Sequence, residues 1–272
     1  MNKQIAAWAW APVIAIQFLT RIPLRGVPDW AYEDSAGRGK SFAFYPLVGA
    51  LVGSIGATVL WLAHRLHLPP AASAIAAVLS TAAVTGALHE DGLADVADGL
   101  GPHNREDALK AMRDSRLGSF GTIALWGLLT LKVVAISSLS AESVCKAIIA
   151  AHVFARWSPL PLAKMMSLSP FLVGERGRGR VVSDAAATPG LGASMAAALS
   201  TGAVLMATLI TAALTVPLLG PTAAERCGIG ACLLIVATGL FYRARFGGIT
   251  GDCLGATNQI VEVATLFLML KT

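Results

Sequence analysis

The chain has 272 residues, of which 55% are hydrophobic and only 14% are charged. Soluble domains carry about a quarter charged residues, so this composition excludes an ordinary soluble protein and indicates a polytopic membrane protein. The formal net charge is +5. No basic patch is interleaved with aromatic residues, so nucleic-acid binding is not expected.

Apolar stretches recur along the whole chain. A membrane span needs about 20 mostly apolar residues, and the candidates are 5–20, 43–63, 70–88, 118–139, 144–163, 191–218, 227–242 and 255–270. The first and the last two are short, and 5–20 has an interfacial helix as its alternative. We predict an all-α polytopic bundle with about seven to eight spans, forming a single transmembrane catalytic domain over residues 1–272.

Lysine and arginine are concentrated in four polar connections, which are 21–40, 89–117, 164–190 and 243–254. Neighbouring connections are separated by two predicted spans, so all four are expected on one side. The positive-inside rule makes this the cytoplasmic side. Segment 174–190 is rich in glycine and arginine, which is typical of a flexible loop.

The most informative segment is His89–Gly99, with the sequence HEDGLADVADG, directly after a predicted span. Asp91, Asp95 and Asp98 recur at i, i+4 and i+7, which places them on one face of a helix. Crowded carboxylates repel one another unless a cation neutralises them, and Mg²⁺ prefers carboxylate and phosphate oxygens. We therefore predict a Mg²⁺ site suited to phosphoryl transfer. A solvated acidic loop is the alternative, which the interleaved apolar residues disfavour.

Two neighbours of these aspartates have open roles. Glu90 points about a quarter-turn away from Asp91, so we expect it near the metal ligands without binding the ion, or facing solvent. His89 is a candidate for orienting a ligand or touching substrate. A capping or interfacial histidine is an equally good interpretation of its position.

A second cluster, DSRLGSFG, begins at Asp114. Arg116 precedes a predicted span and has the fork geometry that clamps a phosphate, although a positive-inside anchor is the default alternative. Asp114 is either a further metal ligand or an ion-pair partner of Arg113 or Arg116. Gly118 and Gly121 would allow close backbone approach where the next helix starts.

A third cluster, Gly247–Gly255, has the sequence GGITGDCLG and opens the last predicted span. Backbone N–H groups in such a turn, at a helix N-terminus, are suited to cradling a phosphate. Asp252 would add a carboxylate to the metal site. A simple glycine-rich turn is the alternative.

Three ionisable residues, Lys132, Arg156 and Glu262, fall inside otherwise apolar predicted spans. Charges within a membrane are costly and are often functional. A structural ion pair is the competing explanation. Glu262 is then the partner of Lys132 or of Arg156, and the sequence does not choose between them.

In order along nearly the whole chain, these motifs resemble the cobalamin synthase family, adenosylcobinamide-GDP ribazoletransferase. The matching pieces are Phe18–Pro23, Phe44–Gly49, His89–Gly99, Asp114–Gly118, Lys132, Arg156, Gly247–Ala256 and Glu262. The resemblance implies that adenosylcobinamide-GDP and α-ribazole, or its 5′-phosphate, give adenosylcobalamin, or its 5′-phosphate, and GMP. It also implies Mg²⁺ dependence and a multi-pass protein of the bacterial inner membrane, surrounded by lipid, with its active site facing the cytoplasm. A homo-oligomer or a complex with other corrinoid-pathway enzymes is left open.

The resemblance and the motif chemistry together predict residue roles. Catalysis is assigned to Asp91, Asp95, Asp98 and Arg116. Substrate contacts are assigned to His89, Asp114, Ser115, Lys132, Arg156, Gly248, Thr250 and Gly251. Mg²⁺ ligands are assigned to Asp91, Asp95, Asp98 and Asp252.

Two other functions compete with this interpretation. A CDP-alcohol phosphotransferase also uses a metal-bound aspartate cluster, but its usual D-G-x-x-A-R pattern has Asp95 and Val96 at the last two positions here. A divalent-cation transporter is the rival from another class. Transporters place their sites near the bilayer midplane, whereas these acidic residues fall at span ends.

Overall fold

A computed structural model of the protein describes residues 3–33, 39–168 and 198–271, and within these ranges every regular element is helical. The helices are α1 (Lys3–Leu19), α2 (Asp29–Glu33), α3 (Tyr45–Arg65), α4 (Pro70–Thr85), α5 (Leu88–Asp98), α6 (Arg105–Ala111), α7 (Ser119–Ser138), α8 (Val144–Trp157), α9 (Pro159–Leu168), α10 (Thr201–Leu219), α11 (Pro221–Phe246) and α12 (Gly251–Met269). The predicted all-α class is therefore confirmed.

Four helices are long and apolar enough to cross a membrane: α3 with the turn before it, α7, α10 and α11. Helices α4 and α5 meet the same test only as a pair, and they are bent by 92° relative to each other. The protein is thus a membrane protein with four candidate spans, or five if the bent pair counts as one, in its described part. The predicted count of seven to eight spans is not confirmed.

Two of the predicted spans, 144–163 and 255–270, differ from the observed helices, whereas α1 nearly coincides with the predicted 5–20. The stretch 144–163 is split between α8 and α9, because Pro159 cannot continue the backbone ladder. The last stretch becomes α12, which begins earlier and carries several polar side chains. Helix α1 has only 17 residues. The start of 191–218, and the segment 174–190 predicted as a flexible loop, lie outside the described residues.

Close packing of α3 on α8 forms the centre of the bundle. A Cβ atom at Gly49 would collide with the carbonyl oxygen of His152, and one at Gly53 would lie 2.7 Å from the Cα of Ile149. Small residues four positions apart permit this approach of two helix backbones. The spacing Gly49-x-x-x-Gly53 therefore serves the close packing of these two helices.

A hydrogen bond from α12 repairs the break between α8 and α9. Because Pro159 has no N–H, the carbonyl of Ala155 lacks its normal helical partner. Asn258 Nδ2 donates to that oxygen at 2.8 Å, and Ser158 Oγ donates to it at 2.9 Å. In a medium without water such groups must be satisfied internally, so the break also attaches α12 to α8.

Two glycines bring the acidic helix α5 against the start of α12. A Cβ atom at Gly92 would lie 2.9 Å from the carbonyl oxygen of Asp252, and one at Gly255 would lie 3.4 Å from the Cα of His89. The two helices therefore touch through their backbones and run in opposite directions. This contact brings residues 91–98 and the turn at 247–251 to one place.

We expect Gly92→Ala to push α5 away from α12, because the added methyl group meets backbone that cannot rotate aside. Overpacking of this kind costs about 1–3 kcal/mol. Thermal unfolding in detergent measures the change as a lower midpoint. Gly127→Ala in α7 is the matched control, because a Cβ atom there has no neighbour within 4 Å. Equal midpoints for the two variants would contradict the close contact.

Candidate active site

Four carboxylates gather where α5 and α12 meet. Asp95 is half-buried and feels the negative charges of Asp252, Asp91 and Asp98, with Asp252 exerting the strongest effect. Within the described residues, the carboxylates of Asp91 and Asp95 make no hydrogen bond or salt bridge to a protein group. The site is therefore a concentration of negative charge that the surrounding helices do not neutralise.

Asp98 differs from the other three because it holds the start of α7. Its two carboxylate oxygens accept hydrogen bonds from the backbone N–H groups of Gly118 and Gly121, each at 2.8 Å. A negative charge at a helix N-terminus is also favoured by the helix dipole. A Cβ atom at either glycine would overlap this carboxylate, so the predicted close approach at these glycines is observed. The catalytic and metal roles of Asp98 stay predictions.

The turn before α12 is closed by its own threonine. Thr250 Oγ1 accepts a hydrogen bond from the backbone N–H of Cys253 at 3.3 Å and donates to Asp252 Oδ2 at 3.2 Å. Gly247 adopts φ +74°, which favours glycine. The Thr250 contact restrains the Asp252 carboxylate, and Gly248 and Gly251 are neighbours of Thr250 in sequence. Their predicted contacts with phosphate are untested.

Arginines connect this turn to the segment that follows α5. The guanidinium of Arg245 donates to the carbonyl oxygens of Gly99, at 2.9 Å, and of Pro102. The guanidinium of Arg105 lies against Gly247, in the space that a side chain there would need. The polar connections 89–117 and 243–254 are therefore on the same side of the bundle. This agrees with the sequence prediction for these two connections.

Arg116 is paired with Asp114 on the surface. Arg116 Nη2 lies 2.6 Å from Asp114 Oδ2, and Arg116 Nε donates to Asp114 Oδ1 at 3.0 Å. These hydrogen bonds lower the pKa of Asp114 to about 2, so the pair stays ionised at neutral pH. Of the alternatives for Asp114, ion pairing with Arg116 is the one observed. The Arg116 side chain is 87% exposed, and Ser115 beside it is exposed as well.

A buried network of charges lies away from solvent and is centred on Glu262. Glu262 Oε1 lies 2.6 Å from Lys132 Nζ, and Glu262 Oε2 lies 3.0 Å from Arg156 Nη1 and 3.3 Å from His152 Nδ1. All four residues are at most 4% exposed. Glu262 therefore pairs with both cations that the sequence offered as alternatives. Direct contact of Lys132 or Arg156 with substrate stays a prediction.

Glu90 belongs to this network, and the expectation that it faces solvent is wrong. It is 8% exposed, and its Oε1 lies 3.5 Å from Lys132 Nζ. The bend before α5 turns Glu90 inward, which helical spacing alone does not reveal. His89 is also buried and lies beside Gly255 rather than at a helix cap or a lipid interface. Its Nδ1 has no hydrogen-bond partner among the described residues.

His152 is the member of this network that the sequence did not single out. It precedes Arg156 by one helical turn, and its Nδ1 lies 2.6 Å from Arg156 Nη1. A histidine at i−4 from an intramembrane arginine was the available signal. It is weak, because a histidine in an apolar helix is commonly an ordinary core residue.

The donor atoms at the meeting of α5 and α12 suit a hard divalent cation. Among the described residues, no group of three or more His, Cys, Asp or Glu side chains is arranged to hold a metal ion by itself. Mg²⁺ does not need such a group, because it commonly binds one or two carboxylates together with waters and substrate phosphates. Asp91, Asp95 and Asp252 would provide those carboxylates, and among the described residues no basic side chain forms a salt bridge with them.

Comparison with known proteins is consistent with this geometry. The sequence profile of the family described as cobalamin-5-phosphate synthase matches residues 11–270. Proteins named adenosylcobinamide-GDP ribazoletransferase are 39% identical in Leptothrix cholodnii, 38% in Ralstonia nicotianae and 41% in Azorhizobium caulinodans. These matches cover 92%, 94% and 94% of this chain and 91%, 93% and 93% of the relatives. No solved structure matches significantly. The chain therefore belongs to the cobalamin-5-phosphate synthase family.

Proposed function

We propose that this protein joins adenosylcobinamide-GDP to α-ribazole or α-ribazole 5′-phosphate. The ribazole 3′-hydroxyl attacks the phosphorus attached to cobinamide, the bond from that phosphorus to the bridging oxygen of the diphosphate breaks, and GMP leaves. The products are adenosylcobalamin, or its 5′-phosphate, and GMP. Family membership supports this reaction, and the relatives carry the corresponding name.

The observation that carries the proposal is the backbone contact between Gly92 and Asp252. It brings carboxylates from two distant parts of the chain to one position, where they repel one another. Unpaired carboxylates at a membrane protein's surface are costly unless a cation or substrate uses them. A diphosphate with a divalent cation is a ligand that would remove this cost.

We propose Asp91, Asp95 and Asp252 as the residues that hold Mg²⁺, with Asp98 close enough to contribute. A bound Mg²⁺ would supply Lewis-acid neutralisation of the charge on the diphosphate. The choice of residues follows from their hydrogen bonding. Asp91 and Asp95 have free carboxylate oxygens, whereas both oxygens of Asp98 already accept a backbone hydrogen bond.

The other side chains around the site would bind and orient the substrate. Arg116 is exposed and held by Asp114, and its remaining N–H groups would bind a phosphate oxygen of the substrate. The backbone of the turn containing Gly248, Thr250 and Gly251 would approach the nucleotide. The proton of the attacking hydroxyl would pass to a carboxylate oxygen of the acidic cluster.

We further propose that the protein resides in the bacterial inner membrane with this site toward the cytoplasm. The described residues support one element of this orientation: the arginine-containing connections 89–117 and 243–254 contact each other at the acidic site. An excess of arginine and lysine marks the cytoplasmic side of membrane proteins.

The reaction is tested directly with the purified full-length protein in detergent. We expect GMP release when adenosylcobinamide-GDP, α-ribazole 5′-phosphate and Mg²⁺ are all present, loss of release with a chelator, and recovery when Mg²⁺ is restored. A CDP-alcohol with a lipid acceptor serves as the comparison. Turnover of the CDP-alcohol without GMP release from the cobinamide substrate would overturn the proposal.

Asp95→Asn should abolish turnover while the protein stays folded. The substitution keeps the size of the side chain but removes the charge at the centre of the acidic cluster. We expect GMP release to fall by about 100-fold or more, as for other losses of a preorganised electrostatic group. The melting temperature should be unchanged or higher, because repulsion among the carboxylates decreases.

Glu106→Gln is the matched control for this variant, because Glu106 is an exposed carboxylate of α6 whose partner is Lys110. It should retain normal turnover. Activity of Asp95→Asn comparable to that of Glu106→Gln at saturating Mg²⁺ would count against the metal assignment.

The orientation predicts a difference between membrane vesicles of opposite sidedness. A substrate that carries a diphosphate does not cross the apolar bilayer core unaided. We therefore expect added substrates to yield GMP with inside-out vesicles and not with right-side-out vesicles. Both preparations should become equally active once detergent opens them, which controls for the amount of protein. Activity confined to intact right-side-out vesicles would refute the orientation.

A further inference from the structure

We propose that Lys132 is a positioning residue for the acidic site, acting as a charged link between α5 and α12. Its ammonium group lies 2.6 Å from Glu262 of α12 and 3.5 Å from Glu90 of α5. These two helices supply the carboxylates of the proposed metal site, so this inference rests on the proposed function. Lys132 itself belongs to α7 and is 1% exposed.

The start of α5 depends on such tertiary contacts because its local structure is weak. The helix begins after Ala87, which has φ +55°, a conformation that is unfavourable for a residue with a Cβ atom. Its N-cap residue, Ala87, makes no side-chain capping hydrogen bond. The position of Glu90, and hence of Asp91 next to it, is therefore determined mainly by what the first turn touches. Glu90 in this turn contacts the ammonium group of Lys132.

Helices α5 and α12 are held together at two places. At the turn before α12, Gly92 and Asp252 set how close the helices approach. Deeper in the bundle, Glu90 and Glu262 flank Lys132. Two contacts along one helix pair determine its angle as well as its separation, so the link controls how Asp91 and Asp95 face Asp252.

The remaining charges of the network allow this link to be tested without destroying the fold. Glu262 also accepts from Arg156 and lies beside His152, so removing Glu262 would leave two buried cations with one carboxylate fewer. Such a loss is strongly destabilising. Removing the charge of Glu90 leaves Lys132 paired with Glu262 at 2.6 Å. Glu90 is therefore the informative position to change.

The experiment compares Glu90→Gln, which keeps the shape of the side chain, with Glu90→Asp, which keeps its charge. Binding of Mn²⁺ alone, measured by electron paramagnetic resonance on the full-length protein in detergent, reports on the site without turnover. We expect Glu90→Gln to bind Mn²⁺ about 10–100-fold more weakly, as is typical when a group that orients metal ligands is lost. Glu90→Asp should lie closer to the wild type. Glu106→Gln should bind Mn²⁺ as tightly as the wild type.

Kinetics provide the second readout. For Glu90→Gln we expect kcat to fall while the KM for each substrate changes little, because the variant displaces catalytic carboxylates and not substrate contacts. A raised KM with normal kcat would instead indicate direct substrate binding and would overturn the proposal. Wild-type Mn²⁺ affinity in folded Glu90→Gln would also overturn the proposal. A larger loss of affinity in Glu90→Asp than in Glu90→Gln would overturn it too, because that order would show that Glu90 acts through its shape and not its charge.

A further variant covers the case in which Glu90→Gln does not fold. Lys132→Met removes the charged link and keeps an apolar side chain of similar length, while Glu262 stays paired with Arg156 at 3.0 Å. Weaker Mn²⁺ binding is again expected, and unchanged binding would overturn the proposal. Absence of Mn²⁺ binding or of GMP release in the wild type itself would refute the proposed function, which distinguishes the two failures.

Discussion

The backbone contact between α5 and α12 is the constraint on which the rest of this structure depends. Gly92 lies against the carbonyl of Asp252, and Gly255 lies against His89. No side chain longer than hydrogen fits at Gly92 without displacing backbone. This contact joins parts of the chain that are 160 positions apart in sequence, from Gly92 to Asp252, and without it the acidic residues would be ordinary charges at two separate helix ends.

Two opposite electrostatic arrangements lie next to each other along this helix pair. Near the start of α12 the carboxylates accumulate, and in the part of the chain that the structure describes no basic side chain forms a salt bridge with Asp91, Asp95 or Asp252. Deeper in the bundle, Glu90 and Glu262 are matched by Lys132 and Arg156. A buried network of matched charges contributes little net stability, since desolvation offsets attraction, but it specifies geometry. The matched part thus provides the orientation that the unmatched part needs in order to bind a cation.

The sequence predicted the local geometry around the acidic helix better than it predicted the long-range contacts. Helical spacing placed the three aspartates of α5 together, and the glycines at 118 and 121 correctly indicated a close approach, because both follow from local geometry. The partners of Glu262 and the inward direction of Glu90 depend on a 92° bend and on packing between distant helices. No local pattern encodes these. Asp98 is intermediate: its placement was predictable, but its hydrogen bonds to α7 were not.

The difference between the predicted spans and the four or five candidate spans of the described residues has a related cause. Hydropathy measures whether a segment suits lipid, whereas α8 and α12 mostly contact other helices. Arg156 of α8 and Glu262 of α12 form an ion pair with each other. Each charge is therefore tolerated inside the bundle, and neither helix needs to be uniformly apolar. The strongly apolar helices α7, α10 and α11 expose large hydrophobic side chains, as at Trp126, Leu209 and Leu233. Helices α8 and α12 therefore build the buried network, α10 and α11 direct large apolar side chains outward, and α7 does both, because it also carries Lys132.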